Sequence, residues 1–475
     1  MMPNSLKYIA LLALSATIHA LLPKKLRNGF LLGASWLIYL MSMPKYLPLL
    51  IAVTAATYLT ARWMEGHPAK KQAALTAALV ACFGLLFVYK YLAFAGSLLA
   101  KLPGLGELKL PQLVQPLGIS FYLFCVTGYL IDVYRGAAAE KSFVNYSLMV
   151  SFFPAVLSGP IARSGSLLPQ LKDRTPNWMD VKRGITRFLV GMAKKMLLAD
   201  VLSALVATVY ADVAAFNGLQ VIFAAVCYAL QIYCDFSSYS DMAVGAGLLF
   251  GIRLMENFDT PYFAQSIPEL WRRWHISLSS WFRDYLYFPL GGSRKGSLRT
   301  NLNILIVFAV SGLWHGAGTQ FLIWGLLHGG YQVLGRTVKP LTKPIRERLD
   351  ASPLALPAKW LRIGWVFVLT TVAWVFFRAD SMEHALAIFR QMAVPGAFGG
   401  AEAFGMVSAQ FVLLGICLAL LFVWDLTYKK HDLVERLANC VWLRYVLWTA
   451  LLLLVLCFGS YGEGYDASNF VYFQF

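Results

Sequence analysis

Three polar stretches interrupt a largely apolar chain, and each carries residue types that could do chemistry. The first to consider is SGLWHGAG at 311–318, followed by WGLLHGG at 324–330. His315 lies inside an apolar run, between VFAV and TQFLIWG. An imidazole titrating near neutrality can take a proton from a hydroxyl or a thiol. Gly312, Gly316 and Gly318 leave room for close approach of a backbone or a ligand. The plainer reading is a satisfied core histidine. His315 and His328 are about 220° apart on an unbroken helix, which does not make a metal pair. No H-x-x-x-H, H-E-x-x-H or Cys/His ligand set is present, so no metal centre is expected.

The second stretch, WRRWHISLSSWFRDYLYFPLGGSRKG at 271–296, interleaves Trp271, Trp274, Trp281, Tyr285 and Tyr287 with Arg272, Arg273, His275, Arg283 and Asp284. Such alternation suits a membrane–water boundary. The guanidinium groups could equally hold phosphate or carboxylate. The third stretch, QIYCDFSSYSDMAVG at 231–245, puts Asp235 and Asp241 in an apolar run. On a regular helix they point about 240° apart, so paired-carboxylate catalysis is not supported. Each is expected to meet a backbone or basic partner inside the bundle, as intramembrane acids usually do. There is no G-x-S-x-G elbow, P-loop or G-x-G-x-x-G, which disfavours the familiar soluble hydrolases and nucleotide binders.

The elements that position these groups follow from composition. The 475 residues are 59% hydrophobic and 14% charged, against about 45–50% and 25% for soluble domains. Only a bilayer can cover that much apolar surface. Apolar runs near 6–22, 29–43, 46–62, 73–94, 113–134, 144–161, 219–250, 301–333, 361–377, 408–427 and 442–460 predict an all-α polytopic membrane protein of roughly 10–13 helices, interfacial and re-entrant pieces included. The runs 219–250 and 301–333 are each long enough for two helices or a tilted one. The first run passes into Pro23-Lys24-Lys25 rather than a cleavage site and reads as a membrane helix.

The net charge is +17. Its basic residues gather in short loops, which points to membrane topology rather than nucleic acid. Lys24, Lys25 and Arg27, then Arg62, Lys70 and Lys71, then Arg135 and Lys141, place those loops in the cytoplasm and the N-terminus outside. The loop at 95–112, with Lys101, Glu107 and Lys109, fits the outer side. Residues 178–200 are amphipathic, with Lys182, Arg183, Arg187, Lys194 and Lys195, and predict a helix lying on anionic lipid. The alternative is a basic wall for an anionic donor such as coenzyme A. Residues 336–360 predict a basic, proline-containing loop, and the helices at 1–110 and 361–475 look plain. The seven cysteines sit mostly in apolar runs and read as buried thiols.

Six words in order carry a family resemblance: FFPAVLSGPIARSGSLLPQL at 152–171, QIYCDFSSYSDMAVG, ENFDTPYFAQSI at 256–267, WRRWHISLSSWFRDYLYFPLGG, SGLWHGAGTQFLIWGLLHG, and AWVFFRADSMEHAL at 373–386. They resemble the membrane-bound O-acyltransferase family, in particular its alginate-type O-acetyltransferase membrane subunits of bacterial polysaccharide and peptidoglycan acetylation. The resemblance covers residues 113–390 as the motif-bearing core of a single domain over 1–475. Cys234 and Ser238 depart from it, standing where relatives often have an aromatic residue and glycine.

The resemblance implies a ring of membrane helices around a thinned centre, with funnels meeting at the family histidine that matches His315. It matches His275 to a second characteristic histidine. It implies no bound cofactor, a cytoplasmic thioester donor such as acetyl-CoA, an extracytoplasmic partner acetyltransferase, an envelope-glycan acceptor and the bacterial inner membrane. Acyl transfer from a thioester needs a base and an oxyanion donor. His315 can be the base, possible also as a covalent acyl-histidine. Trp314, Arg272, Arg273 or the amides near Gly316 can face the oxyanion, with Asp235 and Asp241 as further polar groups at the donor or substrate. Two rivals differ in kind: D-alanyl transfer to teichoic acid, and a glycan flippase that uses Asp235, Asp241 and His315 as coupling groups.

Overall fold

In the computed structural model, residues 2–100, 110–111, 113–174, 176–431, 433–459, 461 and 470 are described. They form helices with no strand among them. The first third contains α1 (Leu6–Leu21), α2 (Lys24–Ser42), α3 (Leu47–Gly66), α4 (Lys71–Leu86) and α5 (Leu92–Leu99). A π-helical turn, Phe87–Tyr91, joins α4 to α5. The middle holds α6 (Ile119–Tyr134), α7 (Phe143–Ser151), α8 (Ser164–Lys172), α9 (Trp178–Ala193), α10 (Asp200–Ala211), α11 (Gly218–Leu249), α12 (Ile267–Arg273), α13 (Ile276–Phe282), α14 (Gly296–His315) and α15 (Thr319–Asp350). The last third holds α16 (Ala355–Arg378), α17 (Met382–Gln391), α18 (Ser408–His431), α19 (Leu433–Asn439) and α20 (Val441–Phe458).

Among the described residues, seven helices are long and apolar enough to cross a bilayer, and two shorter apolar ones, Leu6–Leu21 and Ile119–Tyr134, accompany them. The protein is an all-α, multi-pass membrane protein. The run at 144–161 is not a span. Helix α7 stops at Ser151, because Pro154 and Gly159-Pro160 cannot continue it. Lys101, Glu107 and Lys109 of the expected outer loop lie outside the described residues.

Helix α11 is the axis of the site. It runs unbroken for 32 residues from a capping box of Asn217 and Gln220, so 219–250 is one helix. Helix α9 packs along it at very short range. A Cβ on Gly245 would stand 2.6 Å from the Gly184 carbonyl oxygen and 2.7 Å from the Phe188 amide nitrogen. Small residues let helix backbones approach closely in membranes, where lipid itself is as apolar as a core side chain. Gly245→Val should therefore overpack the α9–α11 seam by about 1–3 kcal/mol. The expected readout is a lower melting temperature in detergent. Gly84→Ala on α4, where the new Cβ meets nothing within 4 Å, should leave melting unchanged or slightly raised. Equal melting of both variants would remove the seam from the account.

The same approach overturns the lipid-surface expectation for 178–200. Helix α9 is covered by α11 on one side and by α19 and α20 elsewhere. Of its basic residues, Arg187 turns inward to Asp241 of α11, and Arg183 pairs with Glu435 of α19. A π-helical turn at Lys194–Ala199 lets the neighbours Lys194 and Lys195 both reach α11.

The run at 301–333 does divide in two. Helix α14 ends at His315 and α15 begins at Thr319, and the two pack as a hairpin. A Cβ on Gly312 would lie 2.3 Å from the Phe321 oxygen, and one on Gly325 would lie 2.2 Å from the Phe308 oxygen. The space expected around the glycines is thus taken by the partner helix. The basic loop expected at 336–360 is mostly helix, because α15 continues through Pro340 and Pro344 to Asp350. Both prolines are exposed. They lie about 40° apart around the helix, so the missing donors fall on one solvated side. The i,i+4 pairs Lys343–Glu347 and Arg346–Asp350 support that turn.

Candidate active site

His275 forms the corner between α12 and α13, in a left-handed conformation with φ 43° and ψ 54°. A non-glycine residue there costs about 1–3 kcal/mol unless its surroundings fix it. The segment 257–259 supplies the fixing. The Ile276 amide donates to the Asn257 carbonyl at 3.0 Å, and the Asp259 amide donates to the Arg273 carbonyl at 2.9 Å. Asn257 Oδ1 accepts from the Ser277 amide at 3.0 Å and from Ser277 Oγ at 2.8 Å. It also faces His275 Nδ1 at 3.3 Å. A backbone N–H can only donate, so the asparagine atom is the oxygen and His275 Nδ1 must carry the proton. In the neutral ring the lone pair is then on Nε2.

His315 is the last residue of α14, and its imidazole is buried. The ring centroids of His275 and His315 are 6.4 Å apart. Trp314, Trp324 and Phe377 surround His315 at 4.9, 5.0 and 5.2 Å. Phe236 of α11 stands edge-on to His275 at 4.6 Å. Trp314 also packs on Phe121 and Phe124 at 5.5 and 5.4 Å. Its indole Nε1 is buried and has no hydrogen-bond acceptor among the described residues, and the same holds for Trp324 Nε1. A buried donor without an acceptor is costly and usually has a reason. Here two such indoles pack edge-on against the imidazole of His315.

The carbonyl end of α14 is held from far away in sequence. Lys90 Nζ donates to the Trp314 oxygen at 2.6 Å and to the His315 oxygen at 2.9 Å. Tyr91 Oη donates to the Leu313 oxygen at 2.7 Å. Lys90, Tyr91 and Asn257 were not among the expected site residues. Lys90 had a signal, a lysine inside the apolar run 73–94, yet nothing in the sequence indicates its target.

The other expected residues do other things. Asp235 is paired with Lys195 at 2.6 Å, and Lys195 reaches Asp200 at 2.9 Å. Asp241 is held by Arg187 at 2.7 Å and Lys194 at 2.5 Å. Arg187 continues to Glu256. The acids therefore take separate basic partners, as their angular separation predicted. Arg273 is engaged by Glu269 at 2.5 Å, and Arg272 is exposed. Of the side chains expected to face an oxyanion, Trp314 is the one brought against the histidine pair, and the Gly316 amide donates to the Gly312 carbonyl at 3.3 Å. His328 belongs to the wall. Its Nδ1 accepts from Trp271 Nε1 at 3.3 Å, and its ring meets Trp324 at 5.2 Å.

The model of the membrane-bound O-acyltransferase family matches residues 130–377, which include both histidines. The chain belongs to the membrane-bound O-acyltransferase family. As a membrane-bound O-acyltransferase it is similar to several curated relatives. It is 37% identical over 412 residues to the probable alginate O-acetylase AlgI of Azotobacter vinelandii, covering 85% of this chain and 79% of that protein. It is 34% identical over 396 residues to a peptidoglycan O-acetyltransferase of Helicobacter pylori, covering 76% and 73%. A teichoic acid D-alanyltransferase of Bacillus subtilis is 28% identical over 231 residues, covering 46% and 58%. This membrane-bound O-acyltransferase is thus an acyltransferase by family, with His315 at the break between α14 and α15 and His275 at the α12–α13 corner.

Proposed function

We propose that this protein takes an acetyl group from a cytoplasmic thioester, acetyl-CoA, and passes it across the inner membrane for O-acetylation of an envelope glycan. The acceptor class is alginate or peptidoglycan, with an extracytoplasmic partner completing transfer to the sugar and the N-terminus on the outer side. The observation that carries this reading is the buried pair His275–His315, 6.4 Å between centroids, in a chain whose more similar relatives are named as O-acetylating enzymes.

In the proposed chemistry His315 is the general base. Its imidazole removes the proton of the attacking hydroxyl as the oxygen bonds to the thioester carbonyl carbon. The indole N–H of Trp314 faces the developing oxyanion. The intermediate collapses with cleavage of the C–S bond, and the imidazolium returns the proton to the departing thiolate. The products are an acetyl ester and a free thiol. His275, with its tautomer set by Asn257, presents Nε2 as an acceptor beside this centre.

The D-alanyl reading has a relative behind it, but at lower identity and about half the chain. One measurement tests the assignment. Membranes carrying the chain, its partner and the glycan receive isotope-labelled acetyl-CoA, and the ester on the glycan is read by mass spectrometry. Labelled acetyl ester is expected. D-alanyl ester formed from a carrier thioester, or glycan moved without any ester, would replace this function with one of its rivals.

A further inference from the structure

Lys90 is a cation inside a membrane-spanning segment, Pro68–Ser97. An ammonium in that position is costly to bury and is retained where it has a specific partner. Its partners are the last two carbonyls of α14, those of Trp314 and His315 themselves. Helix ends leave their final carbonyls without intrahelical donors, and the helix dipole makes that end negative. A glycine-based cap commonly meets this need without burying a charge. Here Gly316 follows the helix in extended backbone, with φ −158°, and side chains of another segment supply the donors.

The local geometry is specialised for that task. The turn Phe87–Tyr91 is π-helical, a form that appears mostly as short bulges and often at functional sites. It brings two consecutive residues onto three consecutive carbonyls, Leu313, Trp314 and His315. Lys90 also lies 5.8 Å from the Trp314 ring centroid. The segment therefore clamps the backbone that carries both the reacting imidazole and the indole beside it.

We infer that Lys90 is a positioning residue for acyl transfer: its ammonium fixes the terminal carbonyls of α14 and so sets where His315 and Trp314 stand. This rests on the reading of His315 as the reacting group. Small displacements of a reacting group cost rate, on the order of a hundredfold for about 1 Å. They have little reason to alter binding of the remote parts of the donor.

The test uses full-length protein purified in detergent and supplied with its partner and the glycan acceptor, with acceptor-dependent CoA release from acetyl-CoA as the readout. Lys90→Met should lower kcat on the order of 10- to 100-fold with KM for acetyl-CoA unchanged. Lys90→Gln, which keeps a donor without the charge, should fall between Met and the wild type. Unchanged kcat overturns the inference, and so does a rise in KM at constant kcat, which would move Lys90 to donor binding. Failure of both variants to yield folded protein also overturns it, because the lysine would then serve stability alone. His315→Ala is measured in parallel. If it keeps full turnover, the acyl-transfer reading itself falls. If it is inactive while the Lys90 variants match the wild type, only the role of Lys90 falls.

Discussion

His315→Ala is expected to lose acetyl transfer by a factor on the order of a thousand, while the protein still accumulates in the membrane. A positioned acid–base group typically contributes about 10²–10⁴ in rate. His315 is the one imidazole placed at the end of α14, between the indoles of Trp314 and Trp324. Its aromatic surroundings contact one another: Trp324 with Phe377 at 5.1 Å and Trp314 with Phe124 at 5.4 Å. The cage can thus survive loss of one ring at the cost of a cavity. His275→Ala should be less severe, on the order of tenfold to a hundredfold, as is typical when a supporting group around a reactive centre is removed. Both rates are read from ester formation on the glycan, normalised to protein level and melting temperature. Retention of more than about a tenth of the wild-type rate by His315→Ala would place the base elsewhere.

Lys195→Met should be the most destabilising single change in the α9–α11 wall. Lys195 is 1% exposed and stands between Asp235 at 2.6 Å and Asp200 at 2.9 Å. Removing the cation leaves two carboxylates in a buried site. Breaking a buried ion pair by deleting one partner costs about 3–5 kcal/mol, most of it the penalty for the charge left behind. Asp235→Asn should cost less, since Lys195 keeps Asp200 and the amide can still accept a hydrogen bond. The measurement is thermal melting of purified protein, together with the amount recovered from membranes. A shift under about 2 °C for Lys195→Met contradicts an ion pair of this kind. Turnover should fall with stability in this variant, because Phe236, next to Asp235 on α11, packs against His275 at 4.6 Å.

The two variants mark different parts of what was legible beforehand. His315 was visible because a histidine flanked by glycines inside an apolar run has few structural reasons to be there. The separate pairing of Asp235 and Asp241 was visible from helical geometry, since six residues cannot bring them to one face. The identity of their partners was not. The basic face of α9 looked like a membrane surface, yet Arg187, Lys194 and Lys195 close on α11 instead.

By itself, the sequence determined the solvent, the helical class and the ordered words that hold the two histidines. Their composition and spacing have few other physical solutions in a bilayer. The tertiary structure decided which surfaces face protein and which face lipid. Hydropathy cannot separate them, because lipid tails and neighbouring helices are equally apolar. It also decided that Lys90, 225 residues before His315, closes the end of α14. It set the left-handed corner at His275 through Asn257, eighteen residues earlier in the chain. Those contacts depend on how helices distant in sequence lie together, and local patterns of residues carry no record of that.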